Sequence, residues 1–94
     1  MPVTTVNAAA GTVQIKLGGG LLRDIVGVAA GTSYTFKAND GPDTAGNART
    51  MIGASAIPVV ANQHWLTSAE PLAFTNGLQI VVTGTPGELY VIWD

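Results

Sequence analysis

His64 is the only histidine in the chain, and cysteine is absent. A histidine acts as a general base when a second group orients it and a third exchanges the proton, as in a Ser-His-Asp set, or when it shares a metal with other ligands. Its sequence neighbours, Asn62-Gln63-His64-Trp65-Leu66-Thr67, supply neither. His64 therefore reads as a surface or contact histidine. Trp65 lies in the same polar segment, where an exposed indole would anchor an interface or stack on a sugar ring. Capping one end of a β-sandwich is the competing use. The six carboxylates are scattered, and Asp40 and Asp43 are the only two close in sequence. With Asn39 and Asn47 they form a set of oxygen donors of the kind calcium takes. Their spacing does not match the calcium loop D-x-[DN]-x-[DN]-G, and no bidentate Glu follows. Turn chemistry on Asp40-Gly41-Pro42 is the simpler reading. Gly18-Gly19-Gly20 could cradle an anion, yet no Lys-Ser/Thr pair follows, as a phosphate loop requires. No catalytic residue, cofactor or metal ligand is expected, and the chain is read as non-enzymatic.

Charge narrows the range of partners. Only Lys16, Arg23, Lys37 and Arg49 are cationic, and the net charge is -2. No basic patch can grip a phosphate backbone, so no nucleic-acid partner is expected. No polybasic segment suits a membrane surface, and no run approaches the roughly 20 apolar residues of a spanning helix. Only 11% of residues are charged, against about 25% in an ordinary soluble domain. Thr, Ala and Gly fill the polar positions instead. That surface suits a protein packed against its own copies or a larger partner, rather than one kept apart by charge. The lack of cysteine favours synthesis in a reducing cytosol. The start, M-P-V-T-T-V-N-A-A-A-G, lacks the pattern of a signal peptide.

These residues need elements to hold them. Ninety-four residues make one domain. Residues 1–11 carry little periodicity, with Val3 and Val6 their only large apolar groups after Met1, and read as a free N-terminal arm, disordered alone or ordered by lying along a neighbour. Residues 12–94 read as a single β-sandwich. Thr12–Leu17 alternates, placing Val13, Ile15 and Leu17 inward. Leu21–Ala29 is apolar on both faces, so it is a central strand or one bulged near Asp24. Thr32–Ala38 places Tyr34 and Phe36 inward. Asn39–Ala48 is the longest polar loop. Arg49–Ala54 is a short strand, and Pro58 marks Ala56–Val60 as an edge or bend. A turn of helix over Thr67–Glu70 is the only helix expected.

The closing stretch is the most regular. Leu78, Ile80 and Val82 share one face, as do Leu89, Val91 and Trp93. A hairpin with a four-residue loop, Gly84–Gly87, would oppose Val82 to Leu89. A three-residue loop, Thr75-Asn76-Gly77, would oppose Phe74 to Leu78; a corner crossing between two sheets would also use Gly77. Seven or eight short antiparallel strands fit a Greek-key or jelly-roll-like sandwich.

The train L-L-R-D-I-V-G-V, A-A-G-T, F-K-A-N-D-G-P-D-T-A-G and P-L-A-F-T-N-G-L-Q-I-V-V-T-G-T-P-G-E-L-Y-V resembles a group of small all-β tailed-phage virion proteins that includes capsid decoration, or cement, proteins. The resemblance spans roughly Thr12–Trp93. It implies a structural role outside a phage shell, a virion location after synthesis in the bacterial host cytoplasm, the major capsid protein as partner, and a homo-oligomer, in many cases a trimer. Contacts are expected from the arm (Val3, Val6), the polar loop (Asn39, Asp40, Asp43, Asn47) and the His64-Trp65 segment. The alternative is a receptor- or carbohydrate-binding module of a fibre or other large assembly, which would expose Trp65 or Tyr90.

Overall fold

The computed structural model describes residues 2–43, 45–66 and 70–94. The described chain is all-β. Its strands are β1 (Val3–Val6), β2 (Gly11–Leu17), β3 (Gly20–Ala29), β4 (Thr32–Asp40), β5 (Arg49–Pro58), β6 (Leu72–Phe74), β7 (Gly77–Thr85) and β8 (Glu88–Trp93). The helical turn expected over Thr67–Glu70 falls largely on residues outside the described ones.

Two four-stranded antiparallel sheets form, in the orders β1-β8-β3-β6 and β2-β7-β4-β5. Within them, strand one pairs with eight, two with seven, three with six and four with five. That is one long antiparallel ribbon folded over on itself. The wrapping adds the β3–β8 and β4–β7 pairs. The result is a jelly-roll β-sandwich, the architecture expected from the spacing of the short alternating runs.

Alternation explains the core. Tyr34, Phe36 and Ala38 of β4, Leu78, Ile80 and Val82 of β7, and Leu89 and Val91 of β8 are buried together with Leu22 and Ile25 of β3. Both sheets contribute, so the inner faces close on each other. The apolar faces assigned from the sequence thus stand for β4 and β7 and for Leu89 and Val91; Trp93 is half-buried against the core.

The pairing of the closing stretch is different from expectation. β7 lies in the second sheet and β8 in the first, so Val82 does not oppose Leu89. Val82 instead stands beside Gly11 and Phe36, and Leu89 beside Val6 and Gly27. β7 runs on to Thr85, and Pro86-Gly87 carries the chain across to the other sheet. Likewise Phe74 pairs with Gly20, not Leu78, and Thr75–Gly77 forms the corner between sheets. Gly77 suits that corner because a side chain there would meet the carbonyl oxygens of Gly41 and Lys16.

Two further expectations are corrected. The described part of the N-terminal stretch, residues 2–11, is not a free arm. Val3–Val6 pairs residue for residue with β8, and Val6 is buried in the core. Leu17 does not point inward but is 72% exposed. The register with β7 slips between Gln14 and Lys16. That bulge at Ile15 reverses the alternation beyond it, turning Lys16 toward the Phe74 and Trp93 rings, 5.9 Å from each centroid. By contrast, β3 is both central and bulged at Arg23, and β5 is an edge strand ending at Pro58.

Candidate functional site

The 59–66 segment completes the first sheet. β6 covers only the Gly20–Leu22 end of β3. Beyond it, Gly27 N–H donates to Gln63 O at 2.8 Å, Asn62 N–H to Gly27 O at 2.8 Å, and Trp65 N–H to Ile25 O at 3.1 Å. His64 forms an antiparallel bridge with Val26. This close approach needs Gly27, where any Cβ would collide with the Val60 carbonyl. Trp65 is half-buried and meets the Phe36 ring edge-on, with centroids 4.8 Å apart. It closes the core in the manner of the capping alternative.

His64 has a partner that its sequence neighbourhood did not reveal. Its Nδ1 lies 2.6 Å from Asp24 Oδ2, forty residues away on β3. The other Asp24 oxygen accepts the N–H groups of Ile25 at 2.7 Å and Leu66 at 3.1 Å. A carboxylate on Nδ1 fixes the imidazole and leaves Nε2 outward, as in a general base. Among the described residues, no hydroxyl is hydrogen-bonded to the ring, and no three His, Cys, Asp or Glu side chains gather as a metal site. The geometry is that of a clasp holding residues 64–66 to β3.

Asp40 is also structural. It continues the inward alternation of Tyr34, Phe36 and Ala38 and is 2% exposed. Its carboxylate accepts N–H groups from Thr75 (3.0 Å), Asn76 (2.9 Å) and Gly77 (3.3 Å), the Thr75 hydroxyl (3.2 Å) and Arg49 (3.2 Å). It therefore ties the corner between β6 and β7 to β4. Burial alone would raise its pKa; the three backbone donors and the hydroxyl outweigh it, so the net shift is downward. Asp43 caps its own turn, accepting the N–H groups of Ala45 and Asn47 at 2.9 Å each. Asn47 is exposed beside it. Asn39 lies half-buried on the outer face of the second sheet.

Of the eight residues expected to make contacts, Val6 and Asp40 are ruled out as surface by burial. Val3 and His64 are brought onto one surface, the outer face of the first sheet. Opposed residues share a face, and the register gives four rows there: Leu21–Ala73, Val3–Ile92–Asp24, Thr5–Tyr90–Val26–His64 and Glu88–Ala29. Val3 is 57% and Tyr90 38% exposed, with Ile92 and Val26 half-buried. This face is mainly apolar. The outer face of the second sheet has opposite chemistry. Its rows read Gln14–Gln79–Asn39–Thr50, Thr12–Val81–Lys37 and Thr83–Thr35. Gln79 Nε2 donates to Gln14 Oε1 at 2.9 Å, and the Thr35 and Thr83 hydroxyls are hydrogen-bonded. Val26, Ile92 and Asp24 were not among the expected contact residues. For Ile92 the signal was present, since Leu89 and Val91 inward leave Tyr90 and Ile92 outward.

No protein-family model, curated protein or solved structure matches this chain.

Proposed function

We propose that this chain is a non-enzymatic structural protein of a tailed-phage virion, a decoration or cement protein that binds and stabilises the assembled shell. The observation that carries the reading is the contrast between the outer faces: mainly valine, isoleucine and tyrosine on one, mainly amides and hydroxyls on the other. Apolar side chains concentrated on one face of a sandwich favour contact on that side. The low charge and the resemblance of the sequence train to small virion proteins point the same way. Under this reading the apolar face lies on the major capsid protein in the virion, after synthesis in the host cytoplasm.

The energetics follow from linkage. A protein that binds assembled shell and not free subunits stabilises the shell by mass action. Many copies multiply weak individual contacts. The experiment is co-sedimentation with purified shells against free capsid subunits of the same phage. Retention on shells alone is expected; equal binding to both, or to neither, contradicts the reading.

One observation favours a second reading, a carbohydrate- or receptor-binding module: Tyr90 is exposed beside Val26 and His64 in one row, and a tyrosine ring can stack on a sugar. A glycan array decides it. Selective binding lost in Tyr90→Ala supports the module, and an array without signal removes it.

A further inference from the structure

We infer that the open edge of β1 is a strand-pairing site, and that its occupant is β1 of a second copy of this chain, antiparallel about a two-fold axis at Thr4.

Sheet edges invite pairing, and proteins blunt them with bulges, prolines, charges or short strands. Three of the four edges here carry such devices. β6 has three residues. β5 slips register twice against β4, contains Gly53 at φ +86° and ends at Pro58. β2 is bulged at Ile15 and carries Lys16. β1 is also short, at four residues, but carries no bulge, proline or charge. Its sequence is V-T-T-V, its register with β8 is unbroken, and no charged residue occurs before Lys16. Among the described residues no strand lies along its outer edge.

The hydrogen-bonding pattern defines what that edge offers. Trp93 N–H donates to Pro2 O at 3.1 Å. In an antiparallel pair, successive residues turn their N–H and C=O groups alternately toward and away from the partner. Pro2, Thr4 and Val6 therefore face β8, and Val3 and Thr5 direct one donor and one acceptor each off the sheet.

Two constraints select the occupant's register. Opposed residues must both direct polar groups into the gap, and they must share a face. Val3 opposite the second copy's Thr5, with the reciprocal pair and Thr4 opposite its own copy, satisfies both. Four main-chain hydrogen bonds form. Charge agrees: neither strand brings a charge, so the copies do not repel, whereas a charged foreign strand would find no counter-charge. The row Asp24–Ile92–Val3 then continues into the second copy's Thr5–Tyr90–Val26–His64. The two apolar outer faces become one surface.

Four hydrogen bonds on so short a strand make a weak contact once the cost of association is met. A dissociation constant on the order of 0.1–1 mM is expected. The test is sedimentation equilibrium of the full chain from about 10 µM to about 1 mM, a range whose upper end reaches that constant, so that at least about half of the chains would be paired there. Thr5→Pro and Val3→Pro each delete an outward N–H while leaving the bonds to β8, a place where strands accept proline. The wild-type mass should rise from one chain toward two. Each variant that folds, judged by an unchanged circular dichroism spectrum, should stay at one chain. A wild-type monomer at the highest concentration, a three-chain species, or a dimer retained by either folded variant overturns the inference. Shell binding is separate: a monomer that sediments with shells removes this pairing and leaves the proposed function standing.

Discussion

At the residue scale, Asp40 exchanges hydration for five protein donors. An acid buried without such donors would be neutral at pH 7. With them, its pKa lies below the usual carboxylate value. The folded state then binds fewer protons than the unfolded state in the window between the two values. The stabilisation is fully present above about pH 4 and is lost as the pH falls through the lowered folded pKa. Asp40→Asn should lose about 1–3 kcal/mol at pH 7. Urea titrations at pH 7 and pH 2.5 should show the gap between wild type and variant narrowing in acid. Arg49 adds little because its side chain is 75% exposed. Tyr34 supplies the alkaline counterpart. Burial pushes its pKa up, and its hydroxyl donates to Ala8 O at 2.7 Å. That contribution is present below about pH 10 and fades as the pH rises through the higher folded value. Tyr34→Phe should cost about 1 kcal/mol at pH 7 and flatten the alkaline limb of a melting-temperature profile.

Asp40 was within reach of the sequence. Counting by twos from Tyr34 through Phe36 and Ala38 arrives at Asp40 as an inward residue. The Asp-Gly-Pro turn beside it drew the assignment to a loop instead, because the same residue types serve turns and buried caps. The Asp24–His64 pair was not legible. Alternation says which face Asp24 occupies but gives no distance to a segment forty residues away.

At the element scale, residues 59–66 hold to β3 through three backbone bonds and the Asp24 carboxylate, and to Phe36 of β4 through the Trp65 ring. Asp24→Ala should release this segment without opening the sandwich. Hydrogen exchange should speed up at the Leu66 and Trp65 amides, while amides of β4 and β7 stay protected. Uniform acceleration across both sheets would instead make Asp24 a global support. The same scale marks the limit of pattern reading. The faces of β4 and β7 could be read because period-two alternation reports them directly. The partner of β8 could not, since a Gly-rich hairpin loop and a corner between sheets use the same residues. Pro86-Gly87 crosses between sheets, so β7 and β8 face each other across the core rather than lying side by side. Leu17 was misplaced because a bulge inserts one residue and leaves no mark in composition. β1 was missed because four residues, two of them threonine, carry too little periodicity.

At the scale of the whole molecule, the ribbon joins distant parts of the chain first to last: Val3 pairs with Ile92, and Gly11 with Val82. Such non-local pairing is slow to form because loop closure precedes its reward. Stopped-flow refolding followed by tryptophan fluorescence should give a main phase in the range of roughly milliseconds to seconds. A microsecond main phase would contradict the topology.

The finished sandwich has one mainly apolar and one mainly polar exterior, and the proposed role depends on that difference. The most direct test is shell co-sedimentation of three forms: wild type, Tyr90→Glu on the apolar face, and Thr83→Glu on the polar face. Both substitutions add the same charge at outward positions. Tyr90→Glu should weaken shell binding at least tenfold, about 1.4 kcal/mol, with Thr83→Glu near wild type. Equal loss in both, or loss only in Thr83→Glu, would contradict the account.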